Sequence, residues 1–527
     1  MIPAPPVTRP PAALGWLLLA PAVLAAVACL VVPSVHTVWM SLRTSRLISR
    51  RTDEFVGLAN YLTVLGGEGF WRAVVFSLLV TVIPILVAVL VAPLLALALD
   101  LGGTVVRRTG AVVLSLAVIT FSPIAVVASW THGLRPDATG LDTLVRGMAE
   151  GAPLTFPLLV GAMTFGVVCA LSTLAFLPAL RGGTVTVSML AVAALVVLCL
   201  LAAGLQAFTF SSALSRGGPE GTRTLGAYMV FEGLAAGRLG PATAAATLTG
   251  LLLGGLGLAA VLLVVLGGMR LHLSPGVRGR TMPLAGVLAL TAVTAAGVVL
   301  AWPWLAALGG AEEALPVTLG THVRTWLPAL AGALVSVGVA YAAALGIGGL
   351  RPLGRHSEWL LVPFAPWALA GVGPTALATW TYVRDLGLMG TFPALLPPML
   401  VSVPALVVLT LLCRGLAERA RAGFLRGVVL PSLLMAGVLT GAVTLVNAQD
   451  GLWPLMVSPR AADAPATVLL SQSLASYRGA GVDVAVTTPL PVMLLALVAV
   501  VAAQFLYLDR LAITMGQERI GLSGGHT

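Results

Sequence analysis

The sequence predicts an all-α membrane protein, with about 12 transmembrane helices in two six-helix halves. Three observations predict it. The 527 residues are 58% hydrophobic and only 9% charged, with a mean hydropathy of +1.03. A dozen stretches are apolar over lengths that let a helix cross a hydrocarbon core roughly 30 Å thick with its backbone satisfied internally. A short arginine-rich segment, 268–283, divides those stretches six and six.

The expected spans in the first set are 14–40, 73–99, 109–130, 153–179, 184–210 and 242–267. Those in the second are 283–308, 325–349, 357–382, 392–413, 428–449 and 487–508. The chain therefore reads as a first half over 1–267, a cytoplasmic hinge over 268–283 and a second half over 284–527. Met1–Ala13 is proline-rich with a single Arg, and the run after it is too long for a signal-peptide core, so it is expected to stay as the first span. Pro84, Pro93, Pro363 and Pro404 fall inside spans, where neighbouring helices can satisfy the carbonyls they free. Small residues such as those of Gly250–Gly257 permit close helix approach.

All 29 basic residues are Arg, and the net charge is +10. Most of these arginines lie between spans, so the charge reports membrane topology and not a nucleic-acid partner. With both termini in the cytoplasm, the inner segments carry Arg107, Arg108, Arg181, Arg270, Arg278, Arg280, Arg351, Arg355, Arg414, Arg419, Arg421 and Arg426. Arg43, Arg46, Arg50 and Arg51 lie on the other side and run against the rule. All-Arg usage with abundant Ala, Gly and Pro points to a GC-rich bacterium, hence a bacterial cytoplasmic membrane.

Several chemistries are excluded or disfavoured. Cys29, Cys169, Cys199 and Cys413 fall inside apolar runs and have no disulfide-framework or metal-ligand spacing. Ion-coupled carriers place ionisable groups at membrane depth, whereas here Asp100 and His36 sit near span ends. A phosphate-binding P-loop needs a Lys, and the chain has none. No Gly-x-Ser-x-Gly elbow accompanies the six scattered histidines. No catalytic residue, metal or cofactor is expected, and any energy must come from a partner.

The loops carry motifs. Phe55-Val56-Gly57-Leu58-Ala59-Asn60-Tyr61 resembles the "FVGLxNY" segment of the larger permease subunit of sugar-type, binding-protein-dependent ABC importers. Ser122-Pro123, Trp130 and Pro136-Asp137-Ala138-Thr139-Gly140-Leu141 look like that subunit's third span and outer loop. Arg216-Gly217-Gly218-Pro219 with Thr224, Leu225 and Tyr228 looks like its "GGP…T..L..Y" loop. The second half resembles the smaller subunit of the same family. Arg384-Asp385-Leu386-Gly387-Leu388-Met389-Gly390-Thr391 is similar to "R-x-LGL-x-DT", and Gln449-Asp450-Gly451-Leu452-Trp453-Pro454-Leu455 to "NEFLWPL". Ala464-Pro465-Ala466-Thr467-Val468-Leu469 stands in the place of "TLPVGL". The resemblance covers most of residues 14–515.

The resemblance implies a permease for a carbohydrate or related polar solute, an ATPase subunit dimer on one face and an extracytoplasmic binding protein on the other. It also implies an ATPase-coupling loop between the fourth and fifth helices of each half. In the second half the matching residues are Glu418, Ala420, Arg421, Gly423, Leu430 and Pro431, with a spacing shorter than the family's. In the first half only Arg181, Gly182 and Gly183 occupy the place, without an acidic residue. Asn447, Gln449, Asp450, Trp453 and Pro454 are expected at the mouth of the solute pathway, since amide, carboxylate and aromatic groups suit hydroxyl-rich ligands. The rival reading, motivated by the altered coupling loops, is a permease-derived scaffold or sensor that does not transport.

Overall fold

The computed structural model describes residues 12–45, 54–136, 138–149, 154–182, 185–215, 222–274, 282–309, 317–419, 423–458, 460, 464–476 and 483–516. Before the linker run α1 (Ala12–Ala26), α2 (Val32–Ser41), α3 (Ala59–Gly66), α4 (Glu68–Leu86), α5 (Ala92–Leu101), α6 (Gly103–Ile119) and α7 (Pro123–Thr131). They are followed by α8 (Leu144–Ala149), α9 (Thr155–Phe176), α10 (Val185–Gln206), α11 (Thr209–Ser215), α12 (Leu225–Val230) and α13 (Leu239–Leu266). Strand β1 (Arg270–Leu273) opens the linker. Beyond it come α14 (Pro283–Leu300), α15 (Trp302–Ala307), α16 (Leu319–Ala344), α17 (Ala376–Asp385) and α18 (Val403–Arg419). The chain closes with α19 (Leu430–Ala448), α20 (Leu452–Val457), α21 (Ala466–Ser476), α22 (Leu490–Leu506) and strand β2 (Leu511–Thr514).

Among the described residues nine helices are long and apolar enough to cross a membrane, and a tenth span forms if the bent pair α6–α7 counts as one. The protein is thus a multi-pass, predominantly helical membrane protein. Mid-span leucines such as Leu94, Leu251, Leu434 and Leu495 are exposed, as lipid-facing residues must be.

The expected spans at 109–130, 357–382 and 392–413 take a different form. Ser122-Pro123 interrupts the first, and α6 and α7 meet at 71°. The second is a 3₁₀ stretch, Gly354–Trp367, containing Pro363 and Pro366, followed by a break and α17. The third starts only at Val403, beyond Pro393, Pro397 and Pro398. Prolines remove donors and clash with the preceding turn, and apolar runs do not reveal that. Elsewhere the chain absorbs proline by widening a turn. Pro33, Pro93 and Pro431 each lie just beyond a π turn, at Val27–Val31, Val87–Val91 and Leu425–Val429. The wider i→i+5 pattern relieves the carbonyl that the ring would strike.

Packing between the two sets of helices is reciprocal. α1 lies against α16 and the turn Leu345–Leu350 of the later set, while α14 lies against α5, α6 and α9 of the earlier one. Both crossings depend on glycine. A Cβ on Gly346 would meet the Gly15 carbonyl at 2.5 Å, and one on Gly286 the Ala98 carbonyl at 2.8 Å.

The linker departs from an all-α reading. β1 pairs with β2 in an antiparallel ribbon, Arg270 opposite Thr514 and Leu273 opposite Leu511. Each strand directly follows the last long helix of its set. The register is unchanged when 270–273 and 511–514 exchange places, so the ribbon carries its own local two-fold axis. Linker residues 275–281 lie outside the described residues.

Candidate functional site

The face bearing the linker holds two ion clusters, one beside each expected coupling loop. At the end of α18 the Glu418 carboxylate meets Arg414 Nε at 3.2 Å, Arg351 at 3.5 Å and Arg270 Nε at 3.1 Å. Glu358, whose side chain is 5% exposed, meets the same Arg414 Nε at 3.1 Å. Gly423 is exposed, and Leu430 and Pro431 open α19 after a π turn. Ala420 and Arg421 lie outside the described residues.

At the other loop, Ala179–Arg181 forms one 3₁₀ turn after α9. The Arg181 guanidinium donates to the Asp509 carbonyl and, at 2.9 Å, to its carboxylate. Arg107 Nε and Arg108 Nε reach the same carboxylate at 2.8 Å each, and Arg107 also reaches Asp100 at 3.2 Å. Gly182 is buried against β2, and Gly183 lies outside the described residues.

The ribbon lies between these two loops. Ile513 N donates to the Pro178 carbonyl at 2.9 Å, and a Cβ on Gly182 would collide with the Ile513 carbonyl. On the other side a Cβ on Gly415 would collide with the Leu271 carbonyl. Sequence reasoning found Glu418 and Arg181, gave Arg270 only as an inner-side arginine, and missed Asp509, Glu358 and Gly415. A lone acid just past an apolar helix, as in Tyr507-Leu508-Asp509-Arg510, is the signal that was there to use.

On the opposite face the expected pathway residues occupy the turn between α19 and α20, and their polar atoms largely bond to backbone. Asn447 Nδ2 donates to the Ala329 carbonyl at 3.2 Å and Gln449 Nε2 to the Thr487 carbonyl at 3.0 Å. Gln449 Oε1 is buried without a hydrogen-bond partner. Asp450 Oδ1 accepts from Leu452 N at 2.9 Å. Burial pushes the Asp450 carboxyl pKa up, against the pull of the Leu452 and Trp453 amides. Trp453 is 2% exposed and donates its Nε1–H to the Ala394 carbonyl at 2.9 Å, and Pro454 is buried beside it. The five are neighbours along the chain from the end of α19 into α20, but their side chains turn to different backbone partners, with Trp453 as the buried anchor.

The other motifs resolve into backbone clamps. Asn60 Nδ2 donates to the carbonyls of Ser41 and Arg43 at 2.8 Å, and the Tyr61 hydroxyl meets Ser41 Oγ at 2.6 Å, fixing the chain where α2 ends. Arg43, which ran against the charge rule, stacks over Trp39 at 4.3 Å. Gly387 adopts φ +69°, the left-handed value that ends α17. A cavity of about 260 Å³ opens between the segment after Phe55–Tyr61 and the loop that carries Thr224 and Tyr228, lined by Thr63, Tyr228, Glu232 and Arg238 among others, with Glu232 paired to Arg238 at 2.5 Å. Asp137 and Arg216–Pro219 lie outside the described residues.

The two sets of helices meet at the broken spans. Gln206, at the end of α10, donates to the Leu369 carbonyl at 2.9 Å and accepts from Gly371 N, in the break before α17. α7, beyond the other break, packs against α15 and α21 of the later set. No group of three metal-ligating side chains occurs among the described residues.

No family model matches the chain. It is 30% identical over 144 residues to the trehalose transport system permease protein SugA of Mycobacterium tuberculosis, in strain CDC 1551 / Oshkosh and equally in strain ATCC 25618 / H37Rv. The match covers 27% of this chain and 45% of each relative, so it spans under half the length of the curated proteins it resembles. The similarity is distant and partial, and the relatives it joins are sugar transport permeases.

Proposed function

We propose that the chain is a fused permease of a sugar-type ABC importer, with residues 1–267 and 284–527 as its two six-helix halves and 268–283 as their cytoplasmic hinge. The halves enclose a solute path, an external binding protein delivers a carbohydrate or related polar solute, and a separate ATPase dimer drives the switch between outward and inward openings. Both termini and the ribbon lie in the cytoplasm of a bacterium.

One observation supports this reading above the others: the third span is broken in both sets, and each broken span lies against the other set. Interrupted helices at matching positions of two repeats are where transporters place their solute sites, because freed backbone groups can face a polar solute there. The similarity to a trehalose permease supplies the solute class.

The turn Asn447–Pro454 is placed at the mouth of this path, with Gln449 Oε1 and the Asp450 carboxyl offered to solute hydroxyls and Trp453 holding the turn in place. Glu418, Gly423, Leu430 and Pro431, with Ala420 and Arg421 between them, form the principal ATPase contact. Arg181, Gly182 and Gly183 mark the first half's loop.

The test is ATP-dependent uptake in proteoliposomes holding the chain, its ATPase and its binding protein. Uptake that needs all three supports the importer. Exchanging Glu418 for Arg and Gly423 for Trp should abolish it while leaving insertion intact. Solute movement without nucleotide overturns the reading. A chain that binds the ATPase yet never transports favours the scaffold, a reading to which the occupied Pro178–Gly182 loop lends weight.

A further inference from the structure

We propose that the cavity at the heads of α4 and α13 is a binding site for a single neutral sugar ring, distinct from the Asn447–Pro454 turn. The site rests on the cavity's own chemistry, so it stands or falls apart from the permease reading.

The cavity lies on the membrane face opposite the ribbon. α13 runs 28 residues, about 42 Å, from Leu239 to Leu266 just ahead of β1, which puts Arg238 at the far end. α4 and α5 make the same crossing, from Glu68 to the Asp100 that meets Arg107 in the Asp509 cluster. The site also borders the second set of helices. Glu232 belongs to the π turn Phe231–Ala235, and its neighbour Gly233 is pressed against Leu377 of α17, where a Cβ would lie 2.9 Å from that side chain. An occupant that grips Glu232 is therefore one residue from the seam between the sets.

The polar walls are fixed before any ligand arrives. Arg223 is held over the Phe231 ring, 3.7 Å from its centre. Glu232 is 6% exposed, and its carbonyl accepts from Arg238 N at 2.9 Å. The Glu232 and Arg238 side chains meet at 2.5 Å as an ion pair, yet Glu232 Oε2 takes no hydrogen bond among the described residues. Thr63 Oγ1 donates to the Ala59 carbonyl at 2.9 Å, which leaves its lone pairs to accept.

The donor set selects the ligand class. A carboxylate only accepts and a guanidinium only donates, whereas a hydroxyl does both. Adjacent hydroxyls of one ring can meet Glu232 and Arg238 together. The pair already neutralises itself, so it offers polarity without net charge and favours a neutral polyol over an ion. The Tyr228 ring gives an apolar surface for the C–H face of a sugar. Gly69 keeps the space beside it open, since a Cβ there would reach within 3.4 Å of Tyr228 Cε2. At about 260 Å³ the cavity is smaller than the roughly 300–1,000 Å³ of sites for drug-sized ligands, so it takes one ring and not two.

A free sugar and a glycolipid headgroup both present such a ring, and the test separates them. Binding of radiolabelled glucose is measured on the purified chain in phosphatidylcholine nanodiscs, without ATPase or binding protein. Saturable binding is expected, weakened at least about tenfold by Glu232→Gln and by Thr63→Trp, and unchanged in Asp385→Asn of the exposed Arg384–Asp385 pair. Thr63 is exposed on α3, so its variant blocks the cavity without disturbing a core. Trehalose should bind no more tightly than glucose, because only one of its rings fits. Glucosyl diacylglycerol added to the nanodiscs displaces the glucose if a headgroup is the natural occupant, and leaves it bound if a free sugar is. Binding that survives both variants, displacement by alanine or phosphate as readily as by unlabelled glucose, or no saturable binding of either ring source overturns the site. A wild-type chain that binds glucose here but shows no ATP-driven uptake refutes the permease reading alone, and uptake without binding at the cavity refutes the site alone.

Discussion

Replacing Asp509 with Asn tests the ion cluster that joins the C-terminal helix to the first loop. The carboxylate side chain is 7% exposed, as is Arg107, and Arg181 is 8% exposed, so three guanidiniums converge on one acid with little water to assist. Asn keeps the shape but removes the charge, and its amide hydrogens face donors. Arg107 would retain Asp100, which is 30% exposed, whereas Arg108 and Arg181 have no second carboxylate in the cluster. Removing one partner from a buried pair costs about 3–5 kcal/mol, mostly through the charge left behind. The pair Arg384–Asp385, 41% and 64% exposed, supplies the control, where the corresponding loss is about 0–1 kcal/mol.

The assay is thermal unfolding in detergent of the wild type, Asp509→Asn and Asp385→Asn, followed by tryptophan emission. Asp509→Asn should melt well below the other two. Adding Arg181→Met to Asp509→Asn should recover part of the loss, because it deletes a stranded cation. That non-additivity is what a double-mutant cycle measures. If Asp509→Asn melts with the wild type, the cluster is not holding the C-terminal segment to the first loop.

Other substitutions probe the opposite face. Trp453→Ala should cost about 3–5 kcal/mol for the lost anchor, and Trp453→Phe about 1 kcal/mol for the lost bond to Ala394, both read by thermal unfolding. Asp450→Asn keeps the acceptor for Leu452 N and removes the titrating carboxyl. Since folding raises this carboxyl's pKa, the wild type loses stability as pH rises from the ordinary carboxyl range through the folded pKa, and Asp450→Asn should flatten that slope in Tm measured against pH. Gln206→Leu takes the bond from the half-buried Leu369 carbonyl and leaves the exposed Gly371 amide to water, at about 1 kcal/mol, and should lower uptake more than it lowers expression. Asn60→Ala frees the carbonyls of Ser41 and Arg43, and should raise hydrogen exchange in 41–45 and at Gly240, which bonds to Ser45, without altering that of α9.

The spans were legible because hydrocarbon imposes a length and an apolarity that local sequence must meet. Ala12–Ser41, Leu239–Leu266 and Leu319–Leu350 lie within a few residues of where apolar runs place them. Their irregularities were less legible. Pro33 and Pro93 cost only a widened turn, Ser122-Pro123 a 71° bend, and Pro363 with Pro366 the α-helix itself, since what proline does depends on how neighbours receive the freed carbonyls. The motif residues were found as a pattern, and the structure supplies their mechanics: Asn60 and Trp453 clamp backbone carbonyls at points where a helix ends.

The ribbon was illegible for a different reason, and the reason bears on how the chain works. Arg270–Leu273 and Leu511–Thr514 are four residues each, too short to stand out beside the helices, and meet across the whole C-terminal set of helices. Neither strand would persist alone, so their pairing is imposed by the helices that precede them and by Gly182 and Gly415, which leave room for backbone and nothing larger. A feature held this way senses the relative position of the two sets directly. If they separated at this face, the ladder, the Asp509 cluster and both glycine contacts would have to break together. Nearer the interrupted span the two sets are joined by fewer bonds, Gln206 to Leu369 and Gly371 and the Trp367 indole donating to Ser34 Oγ at 3.2 Å, so relative movement there costs less than at the ribbon.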